Sequence, residues 1–261
     1  MSELILYEVD SDGIGLITVN RPEVRNALNW AAMEQLADVV QRAEADDDLR
    51  VLLMTGQGRK AFIAGGDLRD LHNYKTREDA YRQHDLMADT MARLTRMPVP
   101  VIAALEGATR GGGCEVALAA DIRVAASDAT LAFSQVRMGL TPGWGGARRL
   151  YSLVGYRTAM DYLLTGRVIT VPEARISGLV DLTAKPGSAL EEARRIAEGI
   201  VQNPPLAVRG IKEVLLGYHL HDIEEARRRE REVFARLWVT DDHDEAATAF
   251  LEKREPRFTG K

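Results

Sequence analysis

Apolar positions recur at strand and helix spacing in the first sixty residues of the chain. The runs at 4–9 and 13–19 are β-rich, and the Asp12-Gly13 pair between them favours a hairpin turn. Asn29 is suited to cap a helix, and residues 51–55 are typical of a buried strand. The helix after Asn29 would bury one apolar face, formed by Trp30, Met33, Leu36 and Val40. This part of the chain therefore predicts the order strand, helix, strand.

The rest of the chain continues the alternation and then changes character. A helix is predicted at 78–96, a strand at 99–105, an Ala-rich helix from Gly111–Gly113 to about Asp121, and strands at 122–126 and 131–133. Alternating helices and strands predict an α/β core. From about residue 190 we predict only helices, after Pro204-Pro205 and over 221–237 and 244–253.

Composition and charge exclude several classes of protein. No apolar run approaches the about 20 residues of a membrane span, and the N-terminal residues do not resemble a signal peptide, so we predict a cytoplasmic protein. The single Cys114 and five scattered histidines favour neither a disulfide scaffold nor a metal site. A formal charge of −5 gives no overall reason to bind nucleic acid. The charged segment 224–236 interleaves Glu with Arg, as in a solvated or interfacial helix.

Two glycine-rich segments are candidates for chemistry. They are 61–68, AFIAGGDL, and 106–115, EGATRGGGCE, and each follows an apolar strand and precedes a helix. Glycine lets the backbone approach a ligand closely, and the first turn of a helix presents unpaired N–H groups that attract anionic oxygen. Neither segment has the pattern of a nucleotide P-loop or of a dinucleotide-binding loop. The alternative is that both are simply tight turns.

Five segments, in this order and spacing, resemble the enoyl-CoA hydratase/isomerase (crotonase) superfamily. They are NRPEVRNALN, FIAGGDLRDL, GATRGGGCEVALAADIRVA, PGWGGARRL and FLEKREPRFTGK. The resemblance implies a spiral of β-β-α units carrying an acyl-CoA site over residues 1–198. It also implies a helical C-terminal oligomerisation segment over 199–261, with trimers that often pair into hexamers. No separate cofactor is expected, because coenzyme A enters as part of the thioester substrate.

The resemblance also assigns roles to individual residues. The backbone N–H groups of Gly66 and Gly112 would form an oxyanion hole for an enolate, and Glu115 would be the catalytic acid or base. The non-catalytic alternative for Glu115 is a charge that stabilises the N-terminus of a helix. The residues that would contact CoA are Glu23, Arg25, Ala27 and Ala64, together with Lys253 from the same or a neighbouring subunit. For Arg25 and Lys253 the alternative is an ordinary solvated surface charge.

The reaction is predicted from the residues around Glu115. Where hydratases of the family carry a second glutamate, this chain has Gln135, and an amide does not transfer protons as a carboxyl does. Residues 133–146, FSQVRMGLTPGWGG, resemble the ethylmalonyl-CoA decarboxylase branch, so we expect decarboxylation of an alkylmalonyl-CoA. Gln135, Trp144 and Leu68 would line the substrate pocket, although Trp144 also suits the core. The alternatives are a hydratase or isomerase with a single glutamate, and a non-enzymatic scaffold or RNA-binding relative.

Overall fold

The computed structural model describes most of the chain, with short gaps near its C-terminal end. The described residues are 3–203, 205–219, 231–232, 234–235 and 237–257, and for 206 and 217–219 only the backbone is described. The helix expected at 221–237 and the charged segment 224–236 lie largely outside these residues.

The described strands form two sheets. They are β1 (Ile5–Val9), β2 (Ile14–Val19), β3 (Val51–Gly56), β4 (Val101–Leu105), β5 (Ala108–Arg110), β6 (Ile122–Ala126), β7 (Thr130–Ala132), β8 (Ile169–Thr170) and β9 (Leu182–Ala184). The larger sheet has the order β1-β2-β3-β4-β6-β9, and the smaller has the order β5-β7-β8. Pairing is antiparallel between β1 and β2 and between β7 and β8, and parallel elsewhere.

The chain crosses between the two sheets repeatedly. β4 belongs to the larger sheet and β5 to the smaller, and the same alternation is repeated by β6 and β7. β8 then joins the smaller sheet and β9 the larger. Parallel neighbours need a long crossover connection, which the helices between the strands provide. The expected α/β spiral of strand pairs and helices is therefore present.

The helices of the described residues lie between the strands and at the C-terminal end. They are α1 (Trp30–Glu44), α2 (Leu68–Leu71), α3 (Arg77–Arg96), α4 (Gly112–Ala119), α5 (Gly146–Thr165), α6 (Val171–Ile176), α7 (Ala189–Val201), α8 (Pro205–His219) and α9 (Asp241–Glu252). The backbone of α5 leaves the helical conformation at Gly155. None of these helices has the sustained apolar stretch that a membrane crossing requires.

The N-terminal hairpin and α1 form where the sequence predicts them. Gly13 has a φ of 77°, in the left-handed region that favours glycine, and β1 and β2 pair across this turn. The Asn29 side chain accepts a hydrogen bond of 3.0 Å from the N–H of Ala32 at the start of α1. The predicted apolar face of α1 is buried. Burial of one such side chain contributes about 1.5 to 3 kcal/mol to folding.

Several predicted boundaries are wrong by one or two residues. β4 begins at Val101 rather than 99, after Pro100, which has no N–H for the ladder. α4 ends before Asp121, whose carboxylate instead accepts the N–H of Val101 at 2.7 Å. β7 is shifted one residue earlier, and Phe133 begins a 3-10 helix over Ser134–Met138.

Long-range contacts attach the C-terminal helices to the core. Lys212 of α8 is buried and donates hydrogen bonds to the Val99 carbonyl at 2.9 Å and to Asp121 at 2.6 Å. Burial lowers the pKa of Lys212, while the Asp121 carboxylate opposes that change. His243 of α9 lies 2.8 Å, by its Nδ1, from the Met138 carbonyl. The predicted domain division after residue 198 falls within α7, and it stays a prediction.

Candidate active site

The first turn of α4 lies directly against the 61–68 segment. A Cβ atom added at Gly113 would lie only 2.0 Å from the Ile63 carbonyl oxygen, so only glycine fits there. Gly111 precedes α4 with a φ of 51°, and its N–H donates to the Ala132 carbonyl at 2.9 Å. The first N–H groups of a helix have no intrahelical acceptor. The glycines therefore bring these free donors against a neighbouring backbone segment.

The structure brings the two predicted oxyanion-hole segments together. A Cβ atom added at Gly65 would lie 3.1 Å from the Arg110 carbonyl oxygen and 3.6 Å from the Gly112 nitrogen. Across the described part of the chain, neither the N–H of Gly66 nor that of Gly112 donates to a protein acceptor. Two unpaired backbone donors on adjacent segments are suited to bind one anionic oxygen.

Glu115 lies in the first turn of α4 and is buried, with 2% of its surface exposed. Its Oε1 accepts hydrogen bonds from Gln135 Nε2 at 2.9 Å and from the N–H of Gly143 at 3.2 Å. Its Oε2 accepts from the N–H of Trp144 at 2.8 Å and from that of Gly146 at 2.9 Å. The side chain thus joins α4 to the turn before α5 and to the first residue of that helix. A carboxylate offers about four acceptor positions, and all four are used.

Opposing effects act on the protonation of Glu115. Complete burial raises the pKa of its carboxyl group, and the N–H donors of Trp144, Gly146 and Gly143 and the Gln135 amide oppose that rise. The net direction is upward, as a proton-transferring group requires. Its surroundings are more polar than the sequence indicates, because the donors belong to the backbone of a turn 28 to 31 residues further along the chain.

Trp144 lies beside the Gly112 donor. A Cβ atom added at Gly112 would be 2.1 Å from Cζ3 of the buried Trp144 indole, so the ring covers the first residue of α4. A Cβ atom at Gly146 would lie 2.5 Å from the Glu115 side chain. The segment 142–146 therefore packs a buried aromatic ring on Gly112 and supplies hydrogen bonds with its backbone. The role of Trp144 as a wall of the substrate pocket stays a prediction, and the sequence does not predict the hydrogen bonds.

Two polar atoms near this turn lack a partner in the described part of the chain. Gln135 Oε1 and Thr141 Oγ1 are buried and make no hydrogen bond within the described residues. A buried polar atom without a partner is costly, so such atoms commonly pair with a water or a ligand. Sequence analysis identifies Gln135 and misses Thr141, because a single hydroxyl between Leu140 and Pro142 has no distinguishing pattern.

The predicted CoA contacts lie on a strained loop next to the glycines. Arg25 and Asn26 have φ values of 55° and 59°, which cost about 1 to 3 kcal/mol each for residues other than glycine. The N–H of Ala64 donates to the Arg25 carbonyl at 3.1 Å, so the loop borders the 61–68 segment. Ala27 is buried, and Glu23 is exposed, as is Arg25.

The other predicted contact residues lie at helix ends. Leu68 is half-buried and begins α2, one residue after Asp67. Lys253 is exposed at the C-terminal end of α9, and no contact within the described residues joins it to the Arg25 loop. Its phosphate contact stays a prediction.

Arg21 and Asp67 form an ion pair that the sequence does not reveal. Arg21 Nη2 lies 3.0 Å from Asp67 Oδ2, and both side chains are largely buried. The partners are 46 residues apart, and no periodic signal connects positions at that separation. Only the folded chain shows that they meet beside Gly66.

Known proteins resemble this chain over nearly all of its length. Residues 10–261 match the enoyl-CoA hydratase/isomerase family. The chain is 36% identical to the short-chain-enoyl-CoA hydratase of Clostridium acetobutylicum, over 92% of both chains. It is 37% identical to the crotonyl-CoA hydratase of Syntrophomonas wolfei, over 99% of both. An enoyl-CoA hydratase structure from Mycobacterium avium subsp. paratuberculosis superimposes with a TM-score of 0.89 at 25% identity, covering 98% of this chain and 99% of that one.

The chain belongs to the enoyl-CoA hydratase/isomerase family. The fold class and the superfamily predicted from the sequence are confirmed. The resemblance of residues 133–146 to the ethylmalonyl-CoA decarboxylase branch receives no support from these relatives, which are named as hydratases. That part of the sequence interpretation stays a hypothesis.

Proposed function

We propose that this protein adds water reversibly to a short-chain 2-enoyl-CoA, with Glu115 as its acid and base. The observation that carries the proposal is the position of this buried carboxyl group on the same helix turn as the unpaired Gly112 N–H, against the Gly66 segment. The named activities of the relatives support hydration and a short acyl chain. The preference for decarboxylation inferred from sequence alone gives way to hydration for this reason.

The proposed reaction moves one proton through Glu115. Water attacks C3 of the enoyl thioester while the Glu115 carboxylate takes a proton from it. The electron pair of the C2–C3 double bond forms a C1–C2 double bond, and the carbonyl pair moves to the thioester oxygen. The resulting enolate oxygen is held by the N–H groups of Gly66 and Gly112. The protonated Glu115 then returns the proton to C2, which restores the carbonyl group and the carboxylate. The net change is the addition of one water molecule.

Glu115 must exchange a hydrogen bond for this chemistry to occur. All of its acceptor positions are used, and three of the four donors are backbone N–H groups fixed by the turn before α5. Gln135 is the side-chain donor, and its Oε1 has no partner among the described residues. In our proposal, the Gln135 amide rotates and frees Glu115 Oε1 to accept a hydrogen bond from the water. The same water donates another hydrogen bond to Gln135 Oε1.

A second candidate function is decarboxylation of an alkylmalonyl-CoA. The specific observation in its favour is that Gln135 lies against Glu115 where a two-carboxyl mechanism would need an acid. Breakage of the bond to the leaving carboxylate would release CO2 and produce the enolate without any base. A protonated Glu115 would then supply the proton to C2 and be reprotonated from solvent.

Replacement of Gln135 by glutamate separates the two candidates. In a hydratase, Gln135→Glu is expected to raise the rate of crotonyl-CoA hydration, because the water gains a second acid or base. In a decarboxylase it gives no gain, and a second carboxylate repels the substrate carboxylate. The assays are hydration of crotonyl-CoA and CO2 release from ethylmalonyl-CoA. The isosteric Gln135→Met variant, which removes the donor without adding acid, is the matched control.

Hydration by the wild-type protein, without CO2 release, is the expected outcome. If the wild type releases CO2 from ethylmalonyl-CoA and leaves crotonyl-CoA unchanged, decarboxylation replaces hydration as its function. If it acts on neither, both candidates are wrong for these acyl groups.

The pH dependence of turnover has opposite signs in the two candidates. Hydration starts from ionised Glu115, and burial raises the pKa of this group, so kcat/KM is expected to fall as pH decreases through a value above the ordinary carboxyl range. Decarboxylation needs the protonated group and predicts a fall as pH rises. Gln135→Met removes a hydrogen-bond donor that lowers the pKa of Glu115, so the acidic limb of the pH profile of this variant should move to higher pH. A hydration profile without an acidic limb contradicts the role of Glu115 as base.

The assembly expected from the sequence remains a proposal. Exposed apolar side chains lie four residues apart on the second half of α5, at Tyr156, Met160 and Leu164, and others lie on α8 at Ile211, Val214 and Leu215. Apolar stripes of this kind are suited to contacts between subunits and support a homotrimer or hexamer. The absence of nucleic-acid partners and the cytoplasmic location stay predictions.

A further inference from the structure

A ladder of backbone hydrogen bonds joins the CoA loop, residues 21–28, to the segment around Gly66. The N–H of Ala64 donates to the Arg25 carbonyl at 3.1 Å, and the N–H of Leu28 donates to the Gly65 carbonyl at 2.8 Å. The N–H of Asp67 donates back to the Leu28 carbonyl at 2.8 Å. Gly66 lies between these bonds, and its own N–H has no acceptor among the described residues. The CoA loop therefore determines where the Gly66 donor points.

The guanidinium group of Arg21 adds two side-chain hydrogen bonds to this backbone ladder. Arg21 donates by Nη1 to the Ala27 carbonyl and by Nη2 to the Asp67 carboxylate at 3.0 Å. Asp67 also accepts the N–H of Arg69 at 3.3 Å and caps α2. Arg21 thus connects both ends of the CoA loop with the residue that follows Gly66. A planar fork of donors makes this double contact, which an ammonium group would not reproduce.

The CoA loop needs such support because its backbone is strained. Arg25 and Asn26 occupy the left-handed region in succession, and such a conformation persists where the surroundings hold it. The Asn26 side chain donates to the Ala61 carbonyl at 2.8 Å and accepts the N–H of Arg21 at 3.1 Å. Contacts with Arg21 and with the 61–67 segment hold the loop in place.

We infer that the Arg21–Asp67 ion pair positions the Gly66 donor and couples it to CoA binding. Neither residue needs to touch the substrate, so both are positioning residues that act through the backbone between them. The inference rests on the proposed function, because it assumes that Gly66 binds the thioester oxygen and that the loop binds CoA. It adds that loss of this pair weakens both together.

The Asp67→Asn variant tests this coupling with acetoacetyl-CoA and CoA as probes. Asparagine keeps the shape and the helix cap of Asp67 but loses the charge that pairs with Arg21. Acetoacetyl-CoA ionises to an enolate that absorbs in the near ultraviolet, so its spectrum when bound reports the oxyanion hole without turnover. We expect Asp67→Asn to lower the bound enolate-to-ketone ratio by roughly tenfold or more. CoA affinity, measured by calorimetry, should fall in the same variant.

Asp181→Asn is the matched control. It breaks another ion pair, the 2.6 Å contact between the buried Arg123 of β6 and the partly exposed Asp181, which joins β6 to the residue before β9. This variant is expected to lower the melting temperature and to leave the enolate ratio and the CoA affinity unchanged. A purely stabilising role for Arg21–Asp67 predicts the same pattern for Asp67→Asn.

Arg21→Lys provides a second route to the answer and covers the case in which Asp67→Asn does not fold. Lysine keeps the charge but cannot hold both acceptors, so a lower enolate ratio is expected again. The double variant should be no worse than the more severe single variant, because the two residues act as one unit. Additive losses, or a wild-type enolate ratio in folded Asp67→Asn or Arg21→Lys, overturn the inference. Absence of enolate stabilisation in the wild type instead overturns the proposed oxyanion hole, and the inference with it.

Discussion

Replacement of Glu115 by glutamine is expected to lower kcat by about 10²- to 10⁴-fold, which is the usual contribution of a general acid or base. The amide has the shape of the carboxyl group but does not accept a proton from water. It also presents an NH2 group to a site built from donors, so one side of the new amide would face backbone N–H groups of Gly143, Trp144 or Gly146 without accepting from them. We therefore also expect a loss of about 1 to 3 kcal/mol in the free energy of unfolding.

The structural and catalytic effects of this substitution can be separated by a second glutamate. Glu106 is buried as well, and it accepts the N–H groups of Gly187 at 3.1 Å and Ala189 at 2.7 Å at the start of α7. Glu106→Gln should destabilise the protein comparably while it leaves kcat near the wild-type value. The measurements are kcat for crotonyl-CoA hydration and chemical denaturation of both variants. Equal losses of kcat in the two variants would show that Glu115 has only a structural role.

Gly112→Ala is expected to lower kcat by about 10²- to 10³-fold, comparable to removal of one oxyanion-hole donor. The backbone of Gly112 does not need a left-handed conformation, so the obstacle is purely steric. The new Cβ atom would lie 2.1 Å from Cζ3 and 2.4 Å from Cη2 of the Trp144 ring. Either the indole or the first turn of α4 must move, and a displacement of this size misdirects the Gly112 N–H.

Two further variants test whether the loss of activity in Gly112→Ala comes from the clash between the new methyl group and the Trp144 ring. Gly199→Ala places a methyl group on α7, where nothing lies within 4 Å, and is expected to stabilise the helix by about 0.5 to 1 kcal/mol without loss of kcat. Trp144→Leu in the Gly112→Ala background makes room for the methyl group and should restore part of the activity. Enolate stabilisation of acetoacetyl-CoA by Gly112→Ala at the wild-type level would refute the assignment of Gly112 to the oxyanion hole.

The sequence predicts the main strands and helices of the first 133 residues, because local patterns there carry the relevant physics, but it assigns no element to Gly146–Thr165, where α5 forms. The α1 helix has a capping Asn29 and an apolar stripe at helical spacing, and both are signals within a few residues. The strands β5, β8 and β9 have only two or three residues, which is too short for any periodicity to appear. Which distant strands they pair with depends on how the chain crosses between the two sheets.

The residues at the centre of the site are also predicted from the sequence. The resemblance to the crotonase superfamily assigns Gly66, Gly112 and Glu115, and the glycine-rich turns before helices agree with that assignment, because the first N–H groups of a helix are free. The lack of a second carboxyl group at Gln135 is likewise evident from the sequence.

Only the tertiary structure decides how these groups act on one another. It reveals that Glu115 accepts four donors from residues 20 to 31 positions away, that the Trp144 ring covers Gly112, and that Arg21 reaches Asp67 across 46 residues. These contacts depend on the crossings between two sheets, which bring together segments that no local pattern relates. Sequence therefore determines which groups the site contains. Their orientation, burial and protonation follow from packing, because the pKa of a carboxyl group depends on the dipoles and solvent around it rather than on its neighbours in the chain.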